Sequence, residues 1–217
     1  MAKLTTNEIL AAGLTDWRKL AQALHTRYRI PDFGTGATFV EQVAAAAETA
    51  GHHPDLTLRY GLVDITLGTH EAGLWVTEKD IELAREISAI AQRLGLVAEP
   101  GAVTQVELGL DTADDRRAGP FWSALLTGSP DNQIDETVLD PTGRVPNVWF
   151  QPTDAHETPR QRWHLDVWLA AEVADERIAA ALAAGGTLVD DSGAPSFTVL
   201  ADPEGNKVCV CTCLDRD

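Results

Sequence analysis

Three histidines carry the residue types and spacing that could do chemistry: the adjacent pair His52 and His53, followed by Pro54, and His70, which lies 17 residues after His53. Asp80 follows downstream. Near neutral pH an imidazole offers both a proton donor and a proton acceptor, so a group of them suits general acid–base catalysis. Ordinary explanations stand beside this one. A histidine at the end of a helix is favoured by the macrodipole whether or not it reacts. A metal site is a further alternative, weakened because no acidic or cysteine ligand lies at a compact spacing in this half of the chain. Spacing alone leaves the choice between catalysis and structure open.

The elements that must position these residues can be read from periodicity. Thr5 to Ala12 reads as a short helix capped by Thr5 or Thr6, and Ala21 to Ile30 as a strand. From Gly36 to Ala50, Phe39, Val40, Val43, Ala44 and Ala47 mark one apolar helical face, closed by Gly51. The helix therefore ends just before His52, and Pro54 turns His53 towards extended backbone. Leu56–Tyr60 and Leu62–Thr69 alternate with period two around Gly61 and read as two strands. The second puts Val63, Ile65 and Leu67 on one side and ends at His70. A helix starts at Thr77, where Thr77 and Asp80 have capping-box spacing, and buries Ile81, Ala84, Ile87 and Ala91 before Gly95.

With these residues in place, the first half resembles the pterin-4a-carbinolamine dehydratase family. The match runs over residues 8–94, within a domain placed at 1–97, and rests on Glu48, His52-His53-Pro54, Tyr60, His70 and Asp80 at the family's spacings. Trp17, Phe33, Phe39, Val43-Ala44 and Asp80-Ile81-Glu82-Leu83-Ala84 also follow its habit. The resemblance implies an α+β fold, with a four-stranded antiparallel sheet carrying helices on one face. It implies a hydro-lyase that removes water from 4a-hydroxytetrahydropterin (4a-hydroxytetrahydrobiopterin) to give quinonoid dihydropterin, with no metal or organic cofactor. By the same resemblance His52 and His70 form the acid–base pair and His53 holds the pterin. Gly68, Thr69 and His70 offer backbone groups to the ring edge. Asp80 orients a histidine or contacts the pterin's amino groups, although a helix-capping carboxylate explains it equally well. Tyr60 and Trp17 are expected to pack beside the pocket. One departure stands out: Glu71-Ala72-Gly73-Leu74-Trp75-Val76-Thr77 is one residue longer than the family's usual run. Trp75 would then wall the pterin site or bury itself between subunits, putting the usual substrate preference in doubt.

Beyond a linker placed at 98–103, the pattern restarts. Strand, helix and strands are followed by strand, helix and strands again, an apparent duplication over 104–217. Asp111-Thr112-Ala113-Asp114, Phe121-Trp122, Leu125-Leu126, Phe150-Gln151, His164-Leu165-Asp166-Val167 and the turn Asp202-Pro203-Glu204-Gly205-Asn206 resemble the glyoxalase/bleomycin-resistance (vicinal oxygen chelate) superfamily. That implies paired βαβββ modules. Its metal-ligand positions fall near Glu107, Gln151, His164 and Cys209; Gln151 is a poor ligand, and Cys209 replaces a usual glutamate. Cys209, Cys211 and Cys213 alternate as strand residues facing one side would. They read as small apolar linings of a cavity more readily than as zinc ligands.

The chain has 217 residues, 44% of them hydrophobic and 23% charged, with a formal net charge of −16. Residues 1–97 hold 9 Lys and Arg against 12 Asp and Glu, and residues 98–217 hold 8 against 21. With no basic stripe and such a field, nucleic acid is excluded as a partner. No apolar run spans a bilayer, and a cytoplasmic location is the expectation. The partners expected are a reduced pterin, an unidentified small molecule for the second domain, and further copies of the chain. Two other functions compete: a binding or assembly protein without turnover, and a metal-dependent lyase, isomerase or dioxygenase in the second domain.

Overall fold

Thr5 caps helix α1 (Thr6–Ala11) by accepting the Glu8 N–H, while Glu8 reaches back to the Thr5 N–H at 2.8 Å. Both ends of the box satisfy backbone donors that a helix start leaves open. The computed structural model describes residues 2–154, 163–201 and 207–216, with every side chain there except those of Arg117, Phe121, Leu125 and His164. The turn expected at 202–206 lies outside the described residues. Contacts divide the chain into two units, one of Met1–Thr104, Leu169–Asp175 and Thr212–Asp217, the other of Gln105–Trp168 and Glu176–Cys211.

In the first unit, β1 (Arg18–Leu20) and β2 (Ala23–Arg29) precede helix α2 (Phe33–Ala50). Strands β3 (Asp55–Arg59) and β4 (Leu62–Leu67), helix α3 (Glu78–Arg93) and β5 (Val97–Ala98) follow. The sheet order is β1-β2-β4-β3, all antiparallel, with β5 also pairing along β2. The fifth strand adds to the four expected, and Glu99 beyond it accepts from Arg29 at 2.8 Å. Val63, Ile65 and Leu67 form one buried face of β4, as alternation requires. They share a core with Phe39, Val43 and Ala47 of α2 and with Ile81, Ala84, Ile87 and Ala91 of α3. Both helices therefore cover the same side of the sheet. Tyr28 meets Phe39 edge to face, with ring centroids 5.2 Å apart. Tyr60, expected to pack, is instead 91% exposed in the turn between β3 and β4, where Gly61 takes φ 83°.

From Gln105 onwards one module occurs twice. Strand β6 (Gln105–Thr112), helix α4 (Asp115–Thr127), β7 (Gln133–Ile134), β8 (Thr137–Val138) and β9 (Val148–Pro152) form the first copy. Strand β10 (Trp163–Trp168), helix α5 (Ala171–Ala183), β11 (Thr187–Asp190), β12 (Phe197–Ala201) and β13 (Lys207–Cys211) form the second. One eight-stranded sheet runs β11-β12-β13-β10-β6-β9-β8-β7. In each copy the first strand is parallel to the last, and β6 and β10 join the copies antiparallel. This is the paired βαβββ pattern, with the duplication visible in the pairing itself. No helix of the described residues is long and apolar enough to cross a membrane.

His25 on β2 shows what burial in the first sheet does to a titratable group. Desolvation lowers its pKa from 6.5 to about 4, against an opposing hydrogen bond to the Leu20 backbone. The unfolded chain then binds a proton that the native chain refuses. Stability is complete above about pH 6.5 and falls as the pH drops towards 4, by roughly 3 kcal/mol in total from this group. The expected outcome is a urea midpoint that declines over this window, with a shallower decline in His25→Gln; equal slopes would remove His25 as the cause.

Candidate functional site

Helix α2 ends in a left-handed Gly51 (φ 57°), and the His52 N–H reaches back to the Ala47 carbonyl at 3.1 Å. This six-to-one bond belongs to the Schellman type of helix end, and it sets His52 immediately beyond the helix. Its Nε2 lies 2.7 Å from Asp80 Oδ1, with His52 buried and Asp80 wholly so. Asp80 sits in the first turn of α3. Its Oδ2 accepts from the Thr77 N–H at 2.7 Å and from the Thr69 hydroxyl at 2.7 Å. A buried carboxylate needs such donors to offset its desolvation. The two readings open for Asp80 are therefore both realised: it caps α3 and it holds a histidine.

With Oδ2 taking two donors and Oδ1 facing the ring, Asp80 holds His52 as the tautomer with hydrogen on Nε2. In the neutral ring Nδ1 then carries the lone pair. His53 points elsewhere. Its Nε2 is 3.3 Å from Glu48 Oε1, and both side chains are largely exposed. His70 is exposed and opens a single 3₁₀ turn, His70–Ala72. Among the described residues no two of these histidines are hydrogen-bonded to each other.

The segment after β4 folds back tightly. Thr69 N–H bonds the Trp75 carbonyl at 3.1 Å, and the Thr69 carbonyl accepts from Ala72 and Leu74 at 3.0 Å. Both backbone groups of Thr69 are thus used inside the loop. A Cβ on Gly68 would run into the Leu74 carbonyl, so only glycine lets the chain return so closely. Gly73 and Leu74 are both left-handed, at φ 72° and 65°, and the second costs roughly 1–2 kcal/mol for a residue with a Cβ. Trp75 is half-buried, and the Lys3 ammonium stands 3.2 Å from its ring centroid. One face of the indole is therefore already covered.

Glu71, which the spacing argument passed over, lies in this loop. Its own backbone N–H holds its carboxyl below the usual range, with the charges of Lys79, His70 and His52 acting in the same direction. It feels both His52 and His70, and its position directly after His70 was the only sequence signal. A groove of about 600 Å³ between α2 and α3 is lined by His52, Lys79, Ala46, Thr49 and Leu83, among others. That volume lies in the range of small-molecule sites.

In the second unit, register places Glu107 on β6 directly opposite Asp166 on β10, and Asp166 beside Cys209 on β13. His164 pairs with Gly109; its side chain is outside those described. Asp166, not singled out from spacing, is thus the residue facing Glu107. Both carboxylates are buried. Glu107 accepts from the Trp168 indole at 3.0 Å and from the Asn147 amide at 3.2 Å, and Asp166 from the Trp149 indole at 2.9 Å. Gln151 is exposed at the end of β9. The strand carrying the cysteines stops at Cys211, so Cys213 lies beyond it and does not continue the alternation; all three are free thiols. Burial pushes the Cys213 thiol up. Among the described residues no three His, Cys, Asp or Glu side chains gather as a metal would require. Each Glu107 oxygen already accepts one hydrogen bond, from the Asn147 amide or the Trp168 indole.

Comparison with known proteins agrees with this division. Residues 2–90 match the family model described as pterin 4 alpha carbinolamine dehydratase, and residues 107–211 match a glyoxalase-like domain. A relative from Thermomicrobium roseum, provisionally named a pterin-4-alpha-carbinolamine dehydratase, is 42% identical over 93 residues, 42% of this chain and 99% of its own length. One from Gloeobacter violaceus with the same provisional name is 43% identical over 90 residues, 39% of this chain and 97% of its own. A crystal structure of a transcriptional coactivator/pterin dehydratase from Brucella melitensis is 38% identical, covering 42% of this chain and 99% of that one, with a TM-score of 0.40.

Replacing Asp80 by Asn leaves one oxygen where two accept, so either the His52 side or the Thr69–Thr77 side loses its acceptor. The expected loss is about 1–3 kcal/mol of folding stability, read as a lower urea midpoint at unchanged slope. A midpoint equal to the parent's would show that these bonds contribute nothing.

Proposed function

Because the chain belongs to the pterin-4a-carbinolamine dehydratase family through residues 2–90, we propose that its first domain, placed at 1–97 before a boundary at 98–103, dehydrates a 4a-hydroxytetrahydropterin. The observation that carries this reading is the buried His52–Asp80 pair, with Nε2 tied to the carboxylate at 2.7 Å. That arrangement leaves the His52 Nδ1 lone pair as the base, with Asp80 holding the ring in orientation through Nε2.

The reaction breaks the C4a–O bond and the N5–H bond. His52 takes the N5 proton, the electron pair moves into a C4a–N5 double bond, and His70 protonates the departing hydroxyl, which leaves as water. The product is the quinonoid dihydropterin, and no redox change occurs. His53, exposed beside Glu48, holds the ring rather than exchanging its proton. Gly68 and His70 offer their backbone to the pterin edge; Thr69 contributes through its hydroxyl on Asp80, since its backbone groups are spent on the loop. Trp75 borders the site with its Lys3-free face. The substrate 4a-hydroxytetrahydrobiopterin belongs to the same proposal, as do a small-molecule ligand for the second domain, a homo-oligomeric state and a cytoplasmic location.

The test is the rate of 4a-hydroxytetrahydropterin disappearance, followed by ultraviolet absorbance, with the full chain added. His52→Ala and His70→Ala are expected to lower the chemical step by about 10²–10⁴-fold. His53→Ala should act mainly on KM. No acceleration by the unaltered protein would sink the proposal, and a full rate in His52→Ala would sink the assignment of the base.

A further inference from the structure

A second cavity in the first unit lies away from His52, on a different face of α3. Its walls are the loop between α1 and β1, through Leu14 and Asp16, and the α3 residues Arg85, Ser88 and Gln92, with Leu96 beyond the helix. Positions 85, 88 and 92 recur at helical spacing, so they share one stripe. The residues of α3 that line the groove towards α2 are others: Lys79, Glu82, Leu83, Glu86, Ile90 and Arg93. The cavity holds about 490 Å³, enough for a small metabolite.

Its polar side is held in place by a hydrogen-bond chain with a fixed direction. The Trp17 indole can only donate, and gives its N–H to Ser88 Oγ at 3.1 Å. Tyr28 gives its single proton to Asp16 Oδ2 at 3.2 Å. The remaining contact, 3.2 Å between Ser88 and Tyr28, must then be donated by the serine. Burial keeps the Tyr28 phenol above its ordinary range, so it remains the donor. The chain runs from Trp17 through Ser88 and Tyr28 and ends on Asp16. One oxygen of that carboxylate is fixed by the phenol, and the group stays at the cavity wall.

Arg85, on α3, also lines the cavity. Its Nη2 donates to the Ala12 carbonyl at 3.2 Å. Among the described residues neither Asp16 nor Arg85 forms an ion pair, with each other or with any third group. One cavity therefore presents a carboxylate and a guanidinium that do not neutralise each other, with Leu14 and Leu96 adding aliphatic surface to its lining. An ion of either sign alone would answer only one of them. A molecule carrying both an ammonium and a carboxylate answers both, and the guanidinium fork suits a carboxylate in particular.

We propose that this cavity binds a free α-amino acid with an aliphatic side chain, its ammonium on Asp16, its carboxylate on Arg85, and its side chain between Leu14 and Leu96. The site is separate from the histidine chemistry and does not depend on it.

Isothermal titration of the full chain with L-leucine tests this, alongside two analogues that each lack one charge, 3-methylbutylamine and 4-methylpentanoate. L-leucine is expected to saturate a single site with Kd below about 1 mM, and each analogue to bind at least about tenfold more weakly. This comparison uses the unaltered protein and so does not depend on any variant folding. Asp16→Asn keeps an acceptor for Tyr28, and Arg85→Gln keeps an amide donor near Ala12. Each is expected to weaken leucine by a similar factor with an unchanged circular dichroism spectrum. Absence of leucine binding, an analogue that binds as well as leucine, or undiminished binding in both folded variants would overturn the proposal.

Discussion

A single buried carboxylate ties the first domain together at the place where its chemistry would occur. Asp80 bonds the end of α2 through His52, the end of β4 through the Thr69 hydroxyl, and the start of α3 through the Thr77 N–H. A charge taken out of water is costly unless every lone pair finds a donor. Here the donors come from three separate elements, so satisfying the carboxylate fixes their mutual positions. The same constraint sets the tautomer of His52. Structure and proposed reactivity thus rest on one group, and neither can be altered without the other.

The loop between Thr69 and Trp75 follows from this arrangement. With Thr69 anchored to Asp80 by its hydroxyl and to the loop by both backbone groups, the chain has to return within a few residues. Gly68 makes the return sterically possible, and the left-handed pair Gly73 and Leu74 completes it. The outcome is a strained segment that carries His70, Glu71 and Trp75. Strain of this kind persists only where surrounding bonds over-determine the conformation, and the Thr69–Trp75 bridge supplies them.

Much of this was legible in the residues. The Thr77–Asp80 spacing announced a helix start, and Gly51 before His52 announced a helix end. The stripe of Ile81, Ala84, Ile87 and Ala91 named the buried face of α3. Those signals are local, set by periods and caps within one element. What stayed hidden depends on pairing between elements. Strands β1 and β5 are two or three residues long and gain their identity only from lying along β2. Asp166 faces Glu107 because of the β6–β10 register, which no spacing along either strand reveals. Tyr60 looked like a packing residue by type, yet the turn at Gly61 leaves it in solvent. Cys213 continued an alternation in sequence that the strand itself does not continue.

The most direct test is the protonation pattern of the His52 ring, read from long-range ¹H–¹⁵N correlation spectra of the full chain. In the neutral ring the hydrogen should reside on Nε2, and Asp80→Asn should shift the His52 nitrogens while leaving those of His53 in place. A neutral His52 carrying its hydrogen on Nδ1, or ring signals indifferent to Asp80→Asn, would contradict the account.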